Sequence, residues 1–329
     1  MLEHGGKLNT MVRQYKIAKD NWLDLSTGLN PHAWPVPDEL PKMIWCQLPQ
    51  DDDGLVETAQ TYYQCDSLLA VSGSQAAIQA LPHCRPHSRV GLISPSYAEH
   101  HYAWHHAGHD IVTLDPLTIN DHIDTLDVLL IINPNNPTGQ LFAPQQLAEW
   151  HQQLAQHGGW LIVDEAFIDV TPEQSLSRKC PQQGLIVLRS IGKFFGLAGL
   201  RTGFVLAEAK LLSLLAERLG PWPIAGASRY LTQLALADTH WQTLSRHLLQ
   251  QQGRRLEELL TYSGFPTIRG CSLFQWVPTS NAEKIHQQLA SQGIYTRLFE
   301  QPKSLRFGLP KTEHDWQRLE HALHEVSVQ

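Results

Sequence analysis

An α/β fold is what the sequence predicts: a mostly parallel seven-stranded sheet flanked by helices, joined to a smaller α+β domain. Three observations carry this expectation. Between residues 68 and 206, short apolar runs alternate with amphipathic stretches. Strands buried on both faces read as continuous apolar runs, and helices between them imply parallel crossovers. After about Ala207 the rhythm changes to long helical segments followed by short strands. Finally, 329 residues are enough for about two domains of ordinary size.

The strand candidates are Leu68–Val71, Val90–Ser94, Ile111–Leu114, Val128–Ile132, Trp160–Asp164 and Leu185–Arg189. Helical patterns lie between them at Ser74–Leu81, Ala98–Ala107 and Pro144–His157. A seventh run, Gly203–Leu206, follows Lys193 with little room for a crossover helix, so it reads as an antiparallel strand of the same sheet. Helix dominates from Glu208 to Tyr262, broken by the turn Gly220-Pro221-Trp222-Pro223. Then come a strand-like run at Ser272–Val277, a helix at Ala282–Ser291, short strands near Ile294–Arg297 and Leu305–Gly308, and a last helix at Glu313–Val326. The first 45 or so residues are Pro-rich (Pro31, Pro35, Pro37, Pro41) with few periodic elements, and are expected to wrap the surface and join the C-terminal part. The expected division is an N-terminal arm, 1–47, belonging to the small domain; a large domain, 48–240; and a small C-terminal domain, 241–329.

Composition excludes several classes. The chain is 42% hydrophobic and 17% charged, with net charge −7 and a pI near 6.2. With no basic block, nucleic acid and anionic membrane are poor partners. Twenty Pro and 22 Gly are far below low-complexity levels. The five Cys form no C-x-x-C pair, which fits reduced thiols. The N-terminus has no apolar h-region, and the longest apolar run, Val128–Ile132, has the length of a strand. A soluble, cytoplasmic protein is expected.

Four stretches carry chemistry, each beside a strand. In SIGKFFGLAGLRTG, Ser190–Gly203, Lys193 lies in a Gly-rich turn among Phe194, Phe195 and Leu197. Partial desolvation of such an ammonium makes the amine available as a nucleophile. Ser190 and Arg201 add a hydroxyl and a permanent cation, which suit a phosphate. LIVDEAFID puts Asp164 at a strand's C-terminal end, the usual ligand crevice of an open α/β sheet, although a cap or turn role would explain it alone. IINPNNPTG forces an irregular turn expected to present Asn135 and Asn136 to that crevice. In VSGSQAAI, strand, Gly73, Ser74 and helix follow in order, and a helix start offers free N–H groups to an anion. Tyr97, in SPSYAEH, adds an aromatic face. An amine, an acid, an amide, an aromatic ring and a phosphate cradle together fit pyridoxal phosphate.

On these residues the chain resembles the fold-type-I pyridoxal-phosphate enzymes of the class I/II aminotransferase superfamily. The runs N-P-x-N-P-T-G, D-E-A-F and S-x-x-K-x₇-R stand in family order and spacing, and the likeness covers nearly the whole chain. The resemblance implies that Lys193 carries the cofactor as a Schiff base and that Asp164 pairs with the ring nitrogen. It further implies that Asn136 bonds the phenolic oxygen and Tyr97 stacks on the ring, while Gly73, Ser74, Gln75, Ser190 and Arg201 hold the phosphate. It also implies a homodimer. Two departures stand out. Phe167 occupies the position where many relatives have a Tyr, and Gln47–Gly54 carries no match to the Tyr-Pro pair that reaches a partner subunit's cofactor.

Substrate anchors decide which bond breaks. By the same resemblance Arg306, in SLRFGLP, forks the substrate carboxylate, and Arg297, in GIYTRLF, is a second cation. The Gly-rich N-terminal runs, His4-Gly5-Gly6 and Asp24–Pro31 with Gly28 and Asn30, are typical of the subgroup of threonine-phosphate decarboxylases of cobalamin biosynthesis. So are LPQDDDG and DEAFIDVTPEQSL. That likeness implies conversion of L-threonine O-3-phosphate to (R)-1-amino-2-propanol O-2-phosphate and carbon dioxide. A histidinol-phosphate aminotransferase-like transamination is the alternative. The run His100–His109 has i,i+4 His pairs but no Glu or Cys to complete a motif, so it reads as an ordinary helix surface without metal.

Overall fold

Val128, Leu129, Leu130, Ile131 and Ile132 are all buried, successive side chains pointing to opposite faces of their strand. A run of that kind must have cover on both sides, and the rest of the chain supplies it. Burying each such side chain stabilises the fold by roughly 1.5–3 kcal/mol. The computed structural model describes residues 4–326. Among these the elements follow in order: α1 (Leu8–Tyr15), β1 (Leu23–Asp24), α2 (Met43–Cys46), α3 (Leu55–Tyr63), β2 (Leu68–Val71), α4 (Ser74–Ala80), β3 (Arg89–Ile93), α5 (Ala98–His106), β4 (Asp110–Leu114), α6 (Ile119–His122) and β5 (Val128–Ile132). Next are α7 (Pro144–Ala155), β6 (Trp160–Asp164), β7 (Leu185–Ser190), β8 (Gly203–Leu206), α8 (Ala209–Leu219), α9 (Gly226–Ala237) and α10 (Thr239–Tyr262). The chain closes with β9 (Arg269–Cys271), β10 (Phe274–Pro278), α11 (Ala282–Ser291), β11 (Ile294–Tyr295), β12 (Arg297–Phe299), β13 (Ser304–Gly308) and α12 (Glu313–Glu325).

The chain divides into two compact units. The larger comprises Ala33–Asn136 and Leu141–Thr243. It holds the predicted seven-stranded sheet, in order β2-β8-β7-β6-β5-β3-β4. Neighbours pair in parallel except β8, which is antiparallel to both β2 and β7, as its short connection from Lys193 requires. On one face Val128, Leu130, Ile162, Ile186, Leu188 and Val205 pack with Ile78 of α4, Trp104 of α5 and Leu215 of α8. The C-terminal ends of β3, β5, β6 and β7 lie along one edge of this layer, where open α/β sheets bind ligands.

The smaller unit comprises the described residues up to His32, Pro137–Gln140, and those from Leu244 onward. Its four-stranded antiparallel sheet has the order β12-β13-β10-β9, and β1 pairs in parallel with β11. The strand expected at Ile294–Arg297 is split at buried Thr296, one half pairing β1 and the other β13. The N-terminal segment is more regular than expected. Leu8, Met11, Val12 and Tyr15 repeat with helical spacing, and α1 packs them with Trp22, Ala290 and Tyr295. No helix among the described residues is long and apolar enough to cross a membrane.

Candidate active site

Strand ends of the larger unit enclose a cavity of about 180 Å³. Its lining contains Ser74, Gln75, Tyr97, Asn136, Asp164, Ser190, Lys193 and Arg201, with Ile132, Ala166 and Phe167 between them. Every cofactor residue expected from the sequence except Gly73 is therefore a wall of one cavity. Gly73 stands directly beside it: a Cβ there would lie 2.9 Å from Arg201 Nη2, and its φ of +73° is one that side chains resist. The glycine thus lets α4 start against the guanidinium. On the other side a Cβ at Gly203 would fall 2.6 Å from the Ser74 nitrogen. These close approaches hold Arg201 and the first N–H groups of α4 together, and Ser190 stands opposite Gly203 across β7 and β8.

Asp164 ends β6 and is almost wholly buried. Its Oδ1 accepts from the Ala166 N–H at 3.0 Å, and its Oδ2 lies 2.9 Å from Nε2 of His100. This corrects the surface reading of the histidine run. His100 and His109 are buried, while His101, His105 and His106 are exposed. His109 accepts from the Ser88 N–H through Nδ1 and bonds the Pro82 carbonyl through Nε2, a bracing role outside the cavity lining. Among the described residues no three His, Cys, Asp or Glu side chains gather to hold a metal.

The N-P-N-N-P turn also divides its labour. Asn133 exchanges two hydrogen bonds with the backbone of Phe142. Asn135 is buried and donates to the Pro95 carbonyl at 2.9 Å, so it braces the loop and does not face the cavity as expected. Asn136 alone of the three lines the cavity. Tyr97 donates to Gln75 Oε1 at 3.3 Å, and burial, with Glu99 and Asp164 adding, pushes its phenol up to about 12. It stays neutral near neutral pH and serves as an aromatic wall. The Lys193 amine lies 5.4 Å from the centre of the Phe167 ring. Phe194 and Phe195, next in the chain, are fully buried and pack on Trp241.

This donor set fits pyridoxal phosphate. It offers one half-buried amine, a buried carboxylate for a ring nitrogen, an amide, an aromatic wall and a cationic hydroxylic cradle. Ala166 and Ile132 complete the apolar lining; their small or branched side chains give no chemical signal in sequence, and neither does buried His100 beside Asp164.

The substrate residues expected from the sequence all lie in the smaller unit. Arg306, on β13, is buried and donates through Nη2 to the Ser26 carbonyl at 2.9 Å. Its guanidinium stands 5.0 Å from the Phe274 ring centre. Arg297 is its direct partner across β12 and β13. Burial, and then Arg297, push Arg306 down to about 10. Two cations in register repel, and an anion between them relieves the repulsion. Gly5 packs on Ser26, whose hydroxyl accepts from the Gly6 N–H at 2.8 Å and donates to Asp24. The N-terminal glycines, Ser26 and Arg306 are thus brought together, and half-buried His4 immediately precedes them. Asn30 is instead a buried brace, donating to Ser245 at 3.0 Å and accepting from the His32 N–H. Gly28 lies between Ser26 and Asn30.

The aminotransferase class I and II family model matches residues 54–326. The chain belongs to the class I and II aminotransferase family. Within it, the chain is 50% identical over 323 residues to threonine-phosphate decarboxylase of Pseudomonas aeruginosa, covering 98% of this chain and 97% of that one. It is 36% identical over 335 residues to threonine-phosphate decarboxylase of a Sinorhizobium species, covering 99% and 98%. The solved histidinol-phosphate aminotransferase of Sinorhizobium meliloti, in complex with pyridoxal-5'-phosphate, has a TM-score of 0.80 at 16% identity, covering 98% of this chain and 95% of that one. At that identity the likeness carries the fold: this family member shares the large sheet and helices of the aminotransferases.

Proposed function

We propose that this aminotransferase-family chain uses pyridoxal 5'-phosphate to decarboxylate L-threonine O-3-phosphate, giving (R)-1-amino-2-propanol O-2-phosphate and carbon dioxide. The step belongs to cobalamin biosynthesis. The observation that carries this reading is end-to-end similarity to two threonine-phosphate decarboxylases, in a chain whose cavity has every group the cofactor needs.

When bound, the cofactor supplies an electron sink for the bonds around the substrate's Cα. The chain's residues do the rest. Lys193 would hold the cofactor through its amine. Asp164, a carboxylate held by His100 and the Ala166 N–H, keeps a proton on the ring nitrogen. Arg201, Ser190, Ser74 and Gln75 bind the phosphate, and Asn136 holds the phenolic oxygen. Arg306 forks the substrate carboxylate in two-bond geometry. Arg297, His4 and the N–H group of Gly5 would meet the substrate phosphate, while the Gly6 N–H holds Ser26. Anchoring both anions would orient the substrate and favour cleavage of the bond to its carboxylate.

The same reading makes the protein a cytoplasmic homodimer. Met43, Trp45, Leu48 and Trp222 of the larger unit stand exposed. Their segments adjoin, since α2 packs on α9 and a Cβ at Gly226 would meet the Ile44 carbonyl at 2.7 Å. Such apolar surface is what a second copy covers.

Comparison of threonine phosphate with plain threonine tests the reading. Remote phosphate binding orients the reacting centre, so kcat/KM should fall by at least about a hundredfold for threonine. Equal use of both would show that no phosphate anchor operates.

A further inference from the structure

Arg189 is a charged residue at the end of an apolar strand, and its side chain is 2% exposed. It donates through Nη1 to Glu165 Oε2 at 2.7 Å and to Ser175 Oγ at 2.8 Å, and through Nη2 to Asp169. Its guanidinium stands 4.6 Å from the ring centre of Tyr63. Glu165 and Asp169 are fully buried as well. Glu165 also accepts from the Leu176 N–H at 2.7 Å, and the Tyr62 hydroxyl donates to Asp169 at 2.9 Å. Burial pushes the Glu165 carboxyl up, and Arg189, Ser175 and the Leu176 N–H oppose that push. The partners Glu165, Asp169 and Ser175 all come from the run DEAFIDVTPEQS, whose only residues assigned above are Asp164, Ala166 and Phe167.

The position of this cluster is what gives it a task. Glu165 directly follows Asp164, and Arg189 directly precedes Ser190, four residues before Lys193. Side chains alternate along a strand, so Asp164 and Ser190 face the cavity while Glu165 and Arg189 face the other side of the same two strand ends. Strands β6 and β7 are in register with Asp164 opposite Leu188, and the Glu165 N–H donates to the Leu188 carbonyl at 2.9 Å. Tyr62 extends the network: its ring lies 5.8 Å from that of Phe195, two residues past Lys193. A buried ion cluster is weak evidence of stability but a means of fixing one arrangement. The planar guanidinium fork sets direction as well as distance.

We propose that Arg189, gripped by Glu165 and Asp169, is a positioning residue for the reaction, locking the strand end that carries Ser190 and Lys193 to the one that carries Asp164. Tyr62 couples the same lock to the turn after Lys193. The inference rests on the cofactor reading of the cavity but not on the identity of the substrate.

The test uses the full-length holoenzyme with Tyr62→Phe, which removes one hydroxyl, and Arg189→Lys. The visible circular dichroism of the bound cofactor reports its orientation, and a purely structural role would not move it. Both variants should change that signal, and kcat should fall by about tenfold with KM within about twofold, because small misplacements of reacting groups are costly. If Arg189→Lys does not fold, Tyr62→Phe alone decides. An unchanged dichroism signal and unchanged kcat in the folded variants would overturn the proposal, even if they melt at lower temperature. Failure of the parent enzyme to release carbon dioxide from threonine phosphate would instead refute the proposed function and leave the dichroism result to be read on its own.

Discussion

His100 and Asp164 meet at 2.9 Å in a site from which water is almost wholly excluded. The contact places a hydrogen-bond donor on the far oxygen of the carboxylate assigned to the cofactor's ring nitrogen. It fixes where that carboxylate points and keeps its charge satisfied in a low dielectric. His100→Phe fills a similar space without the bond. That variant should bind cofactor but turn over at least about tenfold more slowly, since the loss of a hydrogen bond to a charged group is worth about 1.5–3 kcal/mol. Steady-state rates at saturating cofactor check it. A rate within twofold of the parent would show that His100 merely fills space.

Asp164 itself should matter more. Asp164→Asn keeps the shape and removes the charge that, on the proposed function, holds a proton on the ring nitrogen. The expected loss is at least about a hundredfold in kcat, or roughly 2.7 kcal/mol of barrier. A change below threefold would mean that another group holds the nitrogen.

Lys193→Ala should abolish the visible absorbance of protein-bound cofactor together with turnover, since among the described residues no other lysine lines the cavity. Absorption spectra before and after dialysis against free cofactor decide this. A variant that keeps both the band and the activity would remove Lys193 from the site.

Arg306 should separate substrate handling from cofactor binding. It is a buried cation paired in register with Arg297, and Lys cannot reproduce a guanidinium's two-bond fork. Arg306→Lys should raise KM for threonine phosphate by at least about tenfold, the loss of one charged hydrogen bond, and leave the cofactor's absorbance intact. An unchanged KM would move the carboxylate to Arg297.

The N-terminal glycines give a sharper steric test. A Cβ at Gly5 would fall 2.3 Å from the Ser26 carbonyl oxygen, the oxygen that also accepts from Arg306. Gly5→Ala should therefore displace that segment and weaken use of threonine phosphate, read as a fall in kcat/KM, while cofactor affinity is unaltered. Wild-type kinetics in Gly5→Ala would detach residues 4–6 from substrate binding.

Much of this was legible in the sequence because strand and turn chemistry is local. Val128–Ile132 announces a strand buried on both faces, and the short link from Lys193 to Gly203 leaves β8 no option but an antiparallel course. Lys193, Asp164, Asn136, Ser190 and Arg201 could be singled out because Asp164 and Ser190 close strands, Asn136 and Lys193 lie just past strands, and Arg201 stands just before one. Other features depend on partners far along the chain. Asn135 and Asn136 are neighbours of one type, and only the Pro95 carbonyl decides which one braces the loop. His100 sits in a histidine-rich run, and only its packing reveals that it faces Asp164 while His101 faces solvent. Arg189 reads as the end of a strand until Glu165 and Asp169 close on it.

Product analysis after incubation of the cofactor-loaded protein with L-threonine O-3-phosphate tests the central claim most directly. The proposed function predicts stoichiometric release of carbon dioxide and of 1-amino-2-propanol phosphate, with no keto acid formed. Absence of carbon dioxide, together with amino-group transfer from histidinol phosphate to 2-oxoglutarate, would contradict it.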